Sequence, residues 1–488
     1  MRHATTRATA AVTSALILSA ILAGCAVGPN YVAPATKMAP FHNSTAVATR
    51  QTTLPAPKLD NWWTGFNDPM LERVVQRALD QNLDLQSSIA RVTQARAVAQ
   101  AAGAALLPTV DAQASYTAAH QSVQSPLGTL ASAFPNYSRN QKEYIAGMTA
   151  SWEIDLAGGL RRAHSAARDE EQAAEAAHLG TRITVAADAA DAYLQVRGLQ
   201  AQLAVTQDQV NTDQRLLDLV KARVRAGAAT PREVAQAEAV LRQARARVPS
   251  LYVALEGQLN RLDVLMGVQP GTYAAELNAN PGIIPEIPAI NTDDQPLDVL
   301  RRRPDIMAAE RHLAATNEEI GVAISEYYPK ISLSGALGFD SITGQHFFSA
   351  RSFQPVGTGA LRWRLFDFGK VDAEVVQARG AHAEALAQYR QAALKATEDV
   401  ENAFVALSQT EIRVQELSAE VAALTRARDL SETAYRAGSI TLTDVLDAER
   451  QLLTSRDDLD ATRADAARAA VSTFRALGGG WDIPQREG

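Results

Sequence analysis

A chain of 488 residues allows about three domains at roughly 150 residues each, although long helical arrays break that rule. It is 47% hydrophobic but only 6% aromatic, with Ala dominating the apolar share, which suits long helices packed through narrow seams and argues against a large β-sandwich. Lys and Arg number 47 against 54 Asp and Glu, for a net charge of -7, and the one dense basic run is Arg301 to Arg303, which disfavours nucleic acid as a partner. A single cysteine excludes an internal disulfide and any multi-Cys zinc site. No apolar run reaches the roughly 18 residues of a membrane-spanning helix.

Residues Met1 to Cys25 read as an export signal: Arg2 and Arg7 lead, an apolar stretch runs from Ala10 to Leu22, and small residues precede the cysteine. Leu22-Ala23-Gly24-Cys25 resembles the bacterial lipobox, which implies that Cys25 is the lipidation site, carrying diacylglycerol and an N-acyl chain at the head of the mature protein. A buried or surface thiol is the plainer alternative. Ala26 in place of Asp after the cysteine implies sorting to the Gram-negative outer membrane. Residues 25–60 are rich in Pro, Ala and Thr without periodicity, so an extended surface tether is expected there.

The remainder is an internal duplication. Asn82-Leu-Asp84-Leu through Pro108 aligns without a gap with Arg303-Pro-Asp305-Ile through Pro329. A second constant register pairs Trp152 with Trp363, Gly158 with Gly369, Arg225-Ala-Gly227 with Arg436-Ala-Gly438, Thr230 with Thr441, and Gly267 with Gly478. The first repeat covers 61–267, an equatorial linker 268–300, the second repeat 301–478, and a tail 479–488.

Within each repeat the periodicity switches twice. Helical spacing runs from Met70 to Leu107 and from Pro304 to Tyr328, each stopped by a proline. Strand alternation follows. Val110, Ala112, Ala114 and Tyr116 share one face, and after a loop Tyr144, Ala146, Met148, Ala150 and Trp152 do the same, predicting a hairpin over 109–154. The second hairpin is placed over 330–366, with Ile331, Leu333, Leu337 and Phe339 on one strand and Leu361, Trp363 and Leu365 opposite Arg362 and Arg364 on the other. Lipid on one side and water on the other explains both hairpins; a sheet lying on a protein core gives the same alternation.

About a hundred residues of helical pattern follow each hairpin, broken near Gly227 and Gly438. Val196, Leu203, Val210, Leu217 and Val224 repeat every seventh residue, as do Val445, Leu452 and Leu459 beyond the second break. These are coiled-coil seams. The stretch from Gly158 to Gly227 corresponds to roughly 100 Å of helix, more than a bilayer's thickness. The helices therefore extend into water and fold back where glycine interrupts them, and Thr230 with Pro231 can restart one. Four strands cannot close a barrel and open edges are not tolerated in lipid, so several chains must complete the wall. The fold class is thus mixed α/β, long coiled-coil helices joined to a transmembrane β-barrel of four strands per chain.

The stretches WWTGFNDPMLERVVQRALDQNLDL (Trp62 to Leu85), RRPDIMAAERHLAATNEEIGVAISEYYPKISLSGALG (Arg302 to Gly338), YRAGSITLTDVLDAERQLL (Tyr435 to Leu453) and RALGGGW (Arg475 to Trp481) resemble the TolC-like outer membrane factors, in particular their NodT-type lipoprotein branch. The resemblance implies a homotrimer with a 12-stranded barrel, whose helices too close into a long α-helical coiled-coil barrel, a tapering periplasmic tunnel. It implies an outer-membrane duct that expels drugs or other small molecules, docked on a periplasmic adaptor and an inner-membrane pump of the RND type. It also implies a gate at the helical turns. Carried over by position, the gate comprises Tyr435, Asp444, Asp447 and Glu233, and the adaptor-contacting tips comprise Gly227, Ala228, Thr230, Gly438, Ser439 and Thr441. Ile440 stands where the family pattern has an arginine, leaving Arg436 as the substitute.

Competing readings are a duct for type I protein secretion, a coiled-coil lipoprotein without a pore, and an enzyme. The last has least support: no HExxH, GxSxG or Walker-type loop occurs, and no metal or cofactor is implied. Glu318-Glu319 and Asp457-Asp458 read as solvated helix faces, Arg303-Pro304-Asp305 as a helix start, and the acids at the turns equally as ordinary helix N-terminal residues.

Overall fold

In the computed structural model the described residues are 26–35, 38–50, 52–279, 281, 283–291 and 296–482; Cys25, the expected lipidation site, lies outside them. By internal contacts the chain forms two units. One comprises Thr93–Gln172, Glu310–Ala387 and the N-terminal segment up to Ala33. The other comprises Pro34–Val92, Ala173–Ala309 and Gln388 onward.

The main helices are α1 (Pro69–Gln81), α2 (Leu83–Ala104), α3 (Gly159–Arg225), α4 (Pro231–Leu265), α5 (Pro304–Ser325), α6 (Lys370–Arg436) and α7 (Leu442–Ala476). α3 and α6 have 67 residues each, about 100 Å at 1.5 Å per residue. No described helix is apolar enough to cross a membrane.

The first unit holds a four-stranded antiparallel sheet, β1 (Thr109–His120), β2 (Asn140–Ile154), β3 (Lys330–Ser341) and β4 (Phe353–Arg362), in sequential order. Its register sorts the faces. Val110 lies opposite Ala150, Met148 opposite Leu337, Trp152 opposite Leu333, and Phe339 opposite Phe353. Asp111 lies opposite Thr149, Glu153 opposite Ser332, and Lys330 opposite Arg362. One face is therefore apolar along most of its length, with Lys142, His120 and Asn140 only at the end away from the helices, and the other carries most of the charges, because successive side chains alternate. Met148, Leu337 and Leu361 on the apolar face are exposed, so no protein core covers it. Gly147 and Gly338 face each other between the two hairpins, where a Cβ on Gly147 would lie 2.7 Å from the Gly338 Cα.

The second hairpin differs from the expectation. Its closing strand ends at Arg362, so Trp363 and Leu365 lie beyond it. Arg364 reaches Glu326 at 3.0 Å and Glu374 at 3.4 Å, and the Asp367 carboxylate accepts from the Gly369 and Val371 amides; these bonds draw the chain away from the ladder. Pro355, Gly357 and Gly359 belong to β4. Each repeat nonetheless closes its helix-to-strand elbow alike. The Trp152 indole donates to the Leu106 carbonyl and that of Trp363 to Tyr327, both at 2.9 Å.

The helix expected over Met70 to Leu107 is two helices. Asn82 sits between them with an extended backbone, its Oδ1 accepting from the Asp84 and Leu85 amides and its Nδ2 donating to the Leu265 carbonyl. Nor is 25–60 simply an extended tether. Val27 donates to Ala157, and the buried Arg162 guanidinium holds Asn30 Oδ1 at 2.8 Å. Further on, Ser44–Ala48 is helical, Phe41 stacks edge-on against Phe404, and Arg50 forms a two-pronged ion pair with Glu411.

The core of the second unit gathers Trp62, Phe66, Leu71, Tyr193, Leu259, Phe404 and Phe474, with Trp62 stacked on Phe474 at 5.3 Å. The seam residues Val196, Val210 and Leu217 of α3, Leu241 and Leu255 of α4, and Val445 and Leu452 of α7 are buried. Two charged pairs that read as solvated are not. Glu318 is buried against Arg162 at 2.8 Å, and Asp457 is buried against Arg247. The doublets mislead because adjacent helical residues point about 100° apart, so one of each pair turns inward.

Candidate functional site

Both helical hairpins reverse by the same local device. At the end of α3 the Ala228 amide bonds the Arg223 carbonyl at 2.8 Å and the Gly227 amide bonds Val224 at 3.0 Å; at the end of α6, Ser439 bonds Ala434 at 2.9 Å and Gly438 bonds Tyr435 at 3.0 Å. These are Schellman closures, which need a left-handed residue after the helix. Gly227 and Gly438 supply it with φ of 73° and 78°, a conformation costly to other residues. The next helix then starts on a threonine. Glu233 Oε2 accepts from the Thr230 amide and hydroxyl while Thr230 Oγ1 accepts from the Glu233 amide, a reciprocal capping box. Asp444 Oδ2 accepts likewise from the Thr441 amide at 2.9 Å and hydroxyl at 2.6 Å. These bonds, the hydroxyl's first, hold the Asp444 carboxyl below its ordinary range.

Of the residues assigned to a gate, the structure therefore engages Asp444 and Glu233 as helix caps. Asp447 pairs with Arg450 at 2.8 Å, one turn along the same helix, with both side chains open to solvent. Tyr435 is different in kind: it is 2% exposed and packs with Val220, Leu241, Leu442 and Val445 in a small core just behind the turns. Burial, reinforced by the Glu233 charge, holds its phenol above the usual value, and the nearby Arg223 works against that rise. Its hydroxyl has no hydrogen-bond partner among the described residues. The structure forms no hydrogen bond between Tyr435 and the three acids. The six tip residues, Gly227, Ala228, Thr230, Gly438, Ser439 and Thr441, are all exposed.

The residue that sequence reasoning missed is Arg223. Its guanidinium carbon lies 4.5 Å from the centroid of the Tyr435 ring, Nη1 donates to the Tyr435 carbonyl at 2.8 Å, and Nη2 reaches the Ala228 carbonyl at 3.5 Å. One side chain thus ties the end of α3 and the first turn to the end of α6. Arg436 does not share this role. It follows Tyr435 by one position, points away, and pairs with Glu432 in the open. The available signal was a mismatch in the duplication: Arg223 aligns with Ala434, so this cation is peculiar to the first repeat.

The family model described as "Outer membrane efflux protein" matches residues 74–268 and 296–479. The chain is 31% identical to the pyoverdine export outer membrane protein OpmQ of Pseudomonas aeruginosa, over 87% of this chain and 88% of that one. It is 30% identical to nodulation protein T of Rhizobium leguminosarum bv. trifolii, over 96% and 97%. Among solved structures it is similar to the outer-membrane channel OprN, with a TM-score of 0.84 and 30% identity, covering 94% of this chain and all of that one.

Proposed function

The chain belongs to the outer membrane efflux protein family, and on that premise we propose that three copies form a passive duct through which a periplasmic adaptor and an inner-membrane pump of the RND type discharge small molecules. It is an outer-membrane efflux channel component, and its family and fold are those of channel proteins rather than enzymes.

The observation that carries it is the sheet: four strands, one face mostly apolar with Met148, Leu337 and Leu361 exposed on it, and outer edges on β1 and β4 that pair with no other strand among the described residues. Unpaired backbone groups in hydrocarbon cost several kcal/mol each, so copies must join edge to edge. Three copies supply twelve strands, enough for an aqueous lumen, whereas eight would leave an interior filled by side chains. α6 supports association through Val376, Leu394, Ile412 and Leu430, all exposed and spaced by 18 residues. That interval is five turns, so they form one unpartnered stripe.

The exposed glycine turns supply the adaptor-contacting tips. Tyr435, Asp444, Asp447 and Glu233 with Arg223 form the gate, and Cys25 carries lipid that aids membrane retention. The pyoverdine export named for one relative supports a small secreted molecule as cargo. The test is native mass spectrometry of the detergent-extracted protein together with heat-modified migration. A trimer that dissociates only on heating is expected; a monomer or a dimer would refute the assembly.

A further inference from the structure

Behind the turns, where α3, α6 and α7 pack, two buried acids share one amide. Gln209 Nε2 donates to Asp213 Oδ1 at 2.7 Å and to Glu449 Oε2 at 3.2 Å. Glu449 Oε1 accepts from Arg428 Nη1 at 3.3 Å. Gln209, Asp213 and Glu449 are 6%, 2% and 3% exposed. The donors do not suffice. Arg428 Nε is held by Asp429, and on α4 the Arg245 guanidinium is held by Gln214. Asp213 Oδ2 is left buried without a hydrogen-bond partner among the described residues. A buried carboxylate with an unmet oxygen and an acidic neighbour is costly when charged and cheap when neutral.

We propose that Gln209, Asp213, Glu449 and Arg428 form a proton-operated joint that holds α3 against α6 and α7 when Asp213 is protonated and loosens that packing when it ionises. The joint deepens the gating reading, since it lies about three to five helical turns behind the glycine reversals, but it is tested on the packing itself. Burial first, then the Glu449 charge, push the Asp213 carboxyl up from 3.8 to about 6, against the Gln209 hydrogen bond. A carboxyl raised on folding contributes most below its unfolded value, and its contribution declines as pH rises through the folded one. The packing is therefore firm at pH 5 and weaker at pH 7.5, the reverse of a salt-bridged carboxylate.

The measurement is amide hydrogen exchange of the full chain in lipid vesicles, following peptides over 205–220 and 443–455 at pH 5.0 and 7.5 after correction for intrinsic exchange. Wild type should lose about tenfold or more of its protection between the two, and Asp213→Asn should keep the protected value at both. Equal protection at the two pH values in wild type, or an Asp213→Asn chain that follows wild type, overturns the joint. Should Asp213→Asn fail to assemble, Glu449→Gln decides: without the repelling neighbour the transition should move to lower pH, and an unmoved midpoint overturns the proposal. Conductance is not read, so the result is separate from that of the tip gate.

Discussion

Replacing Arg223 by methionine keeps a long, helix-compatible stem while removing the charge and every donor. The loss can be worked from three contacts. The charged hydrogen bond to the Tyr435 carbonyl at 2.8 Å belongs to a class worth about 1.5–3 kcal/mol, and the guanidinium over the Tyr435 ring at 4.5 Å adds about 0.5–1 kcal/mol at a partly exposed site. The Ala228 contact at 3.5 Å lies at the limit of hydrogen bonding and adds little. Arg223 is half-buried, which calls for the lower ends, so the tie between the hairpins should weaken by about 2 kcal/mol, or ~30-fold in the opening equilibrium. Bilayer recordings of Arg223→Met should show more frequent spontaneous opening without any partner, and cells carrying it should admit a large antibiotic such as vancomycin. Tyr435→Phe should do neither, because the hydroxyl it removes is buried without a partner while the ring stays. A silent Arg223→Met, or a Tyr435→Phe that opens the duct equally, would refute the latch.

Gly147→Ala or Gly338→Ala should abolish the heat-modifiable oligomer, since the added Cβ would come within 2.7–2.8 Å of the opposing strand's backbone; Gly357→Ala, with nothing within 4 Å, should assemble normally. For the acidic turn, Asp444→Asn with Asp447→Asn should lower cation preference in bilayers at only slightly reduced thermal stability, since the Asp444 charge at the helix start is lost. Asparagine keeps the acceptor that Thr441 uses, and the exposed pair with Arg450 is worth only tenths of a kcal/mol; unchanged selectivity would place both acids off the conduction path. Cys25→Ser should abolish palmitate labelling and leave the precursor unprocessed, and normal labelling would exclude Cys25 as the lipid site.

The sequence alone determined the fold class, the duplication and the two glycine reversals. Each of these is written in local order: a period of seven along Val196 to Val224, a period of two along Val110 to Tyr116, and a positive φ that only Gly227 and Gly438 adopt cheaply. Local order also misled wherever a neighbour distant in the chain decides. Asn82 splits a continuous helical pattern because the Leu265 carbonyl takes its side chain. Trp363 and Leu365 fall outside the second hairpin, where Arg364 pairs with Glu326 and Glu374 instead. The site was legible by type but not by wiring: Asp444 and Glu233 fall at turns, yet only the folded chain shows them spent on threonine caps. The pairing of Arg223 with Tyr435 spans 212 residues of chain, and that of Gln209 with Glu449 spans 240. Such contacts leave no period in either segment, because side-chain chemistry at one position does not specify which distant helix will pack against it. Tertiary packing makes that choice, and with it decides which charges are buried, which acid lacks a donor, and which arginine closes the tips.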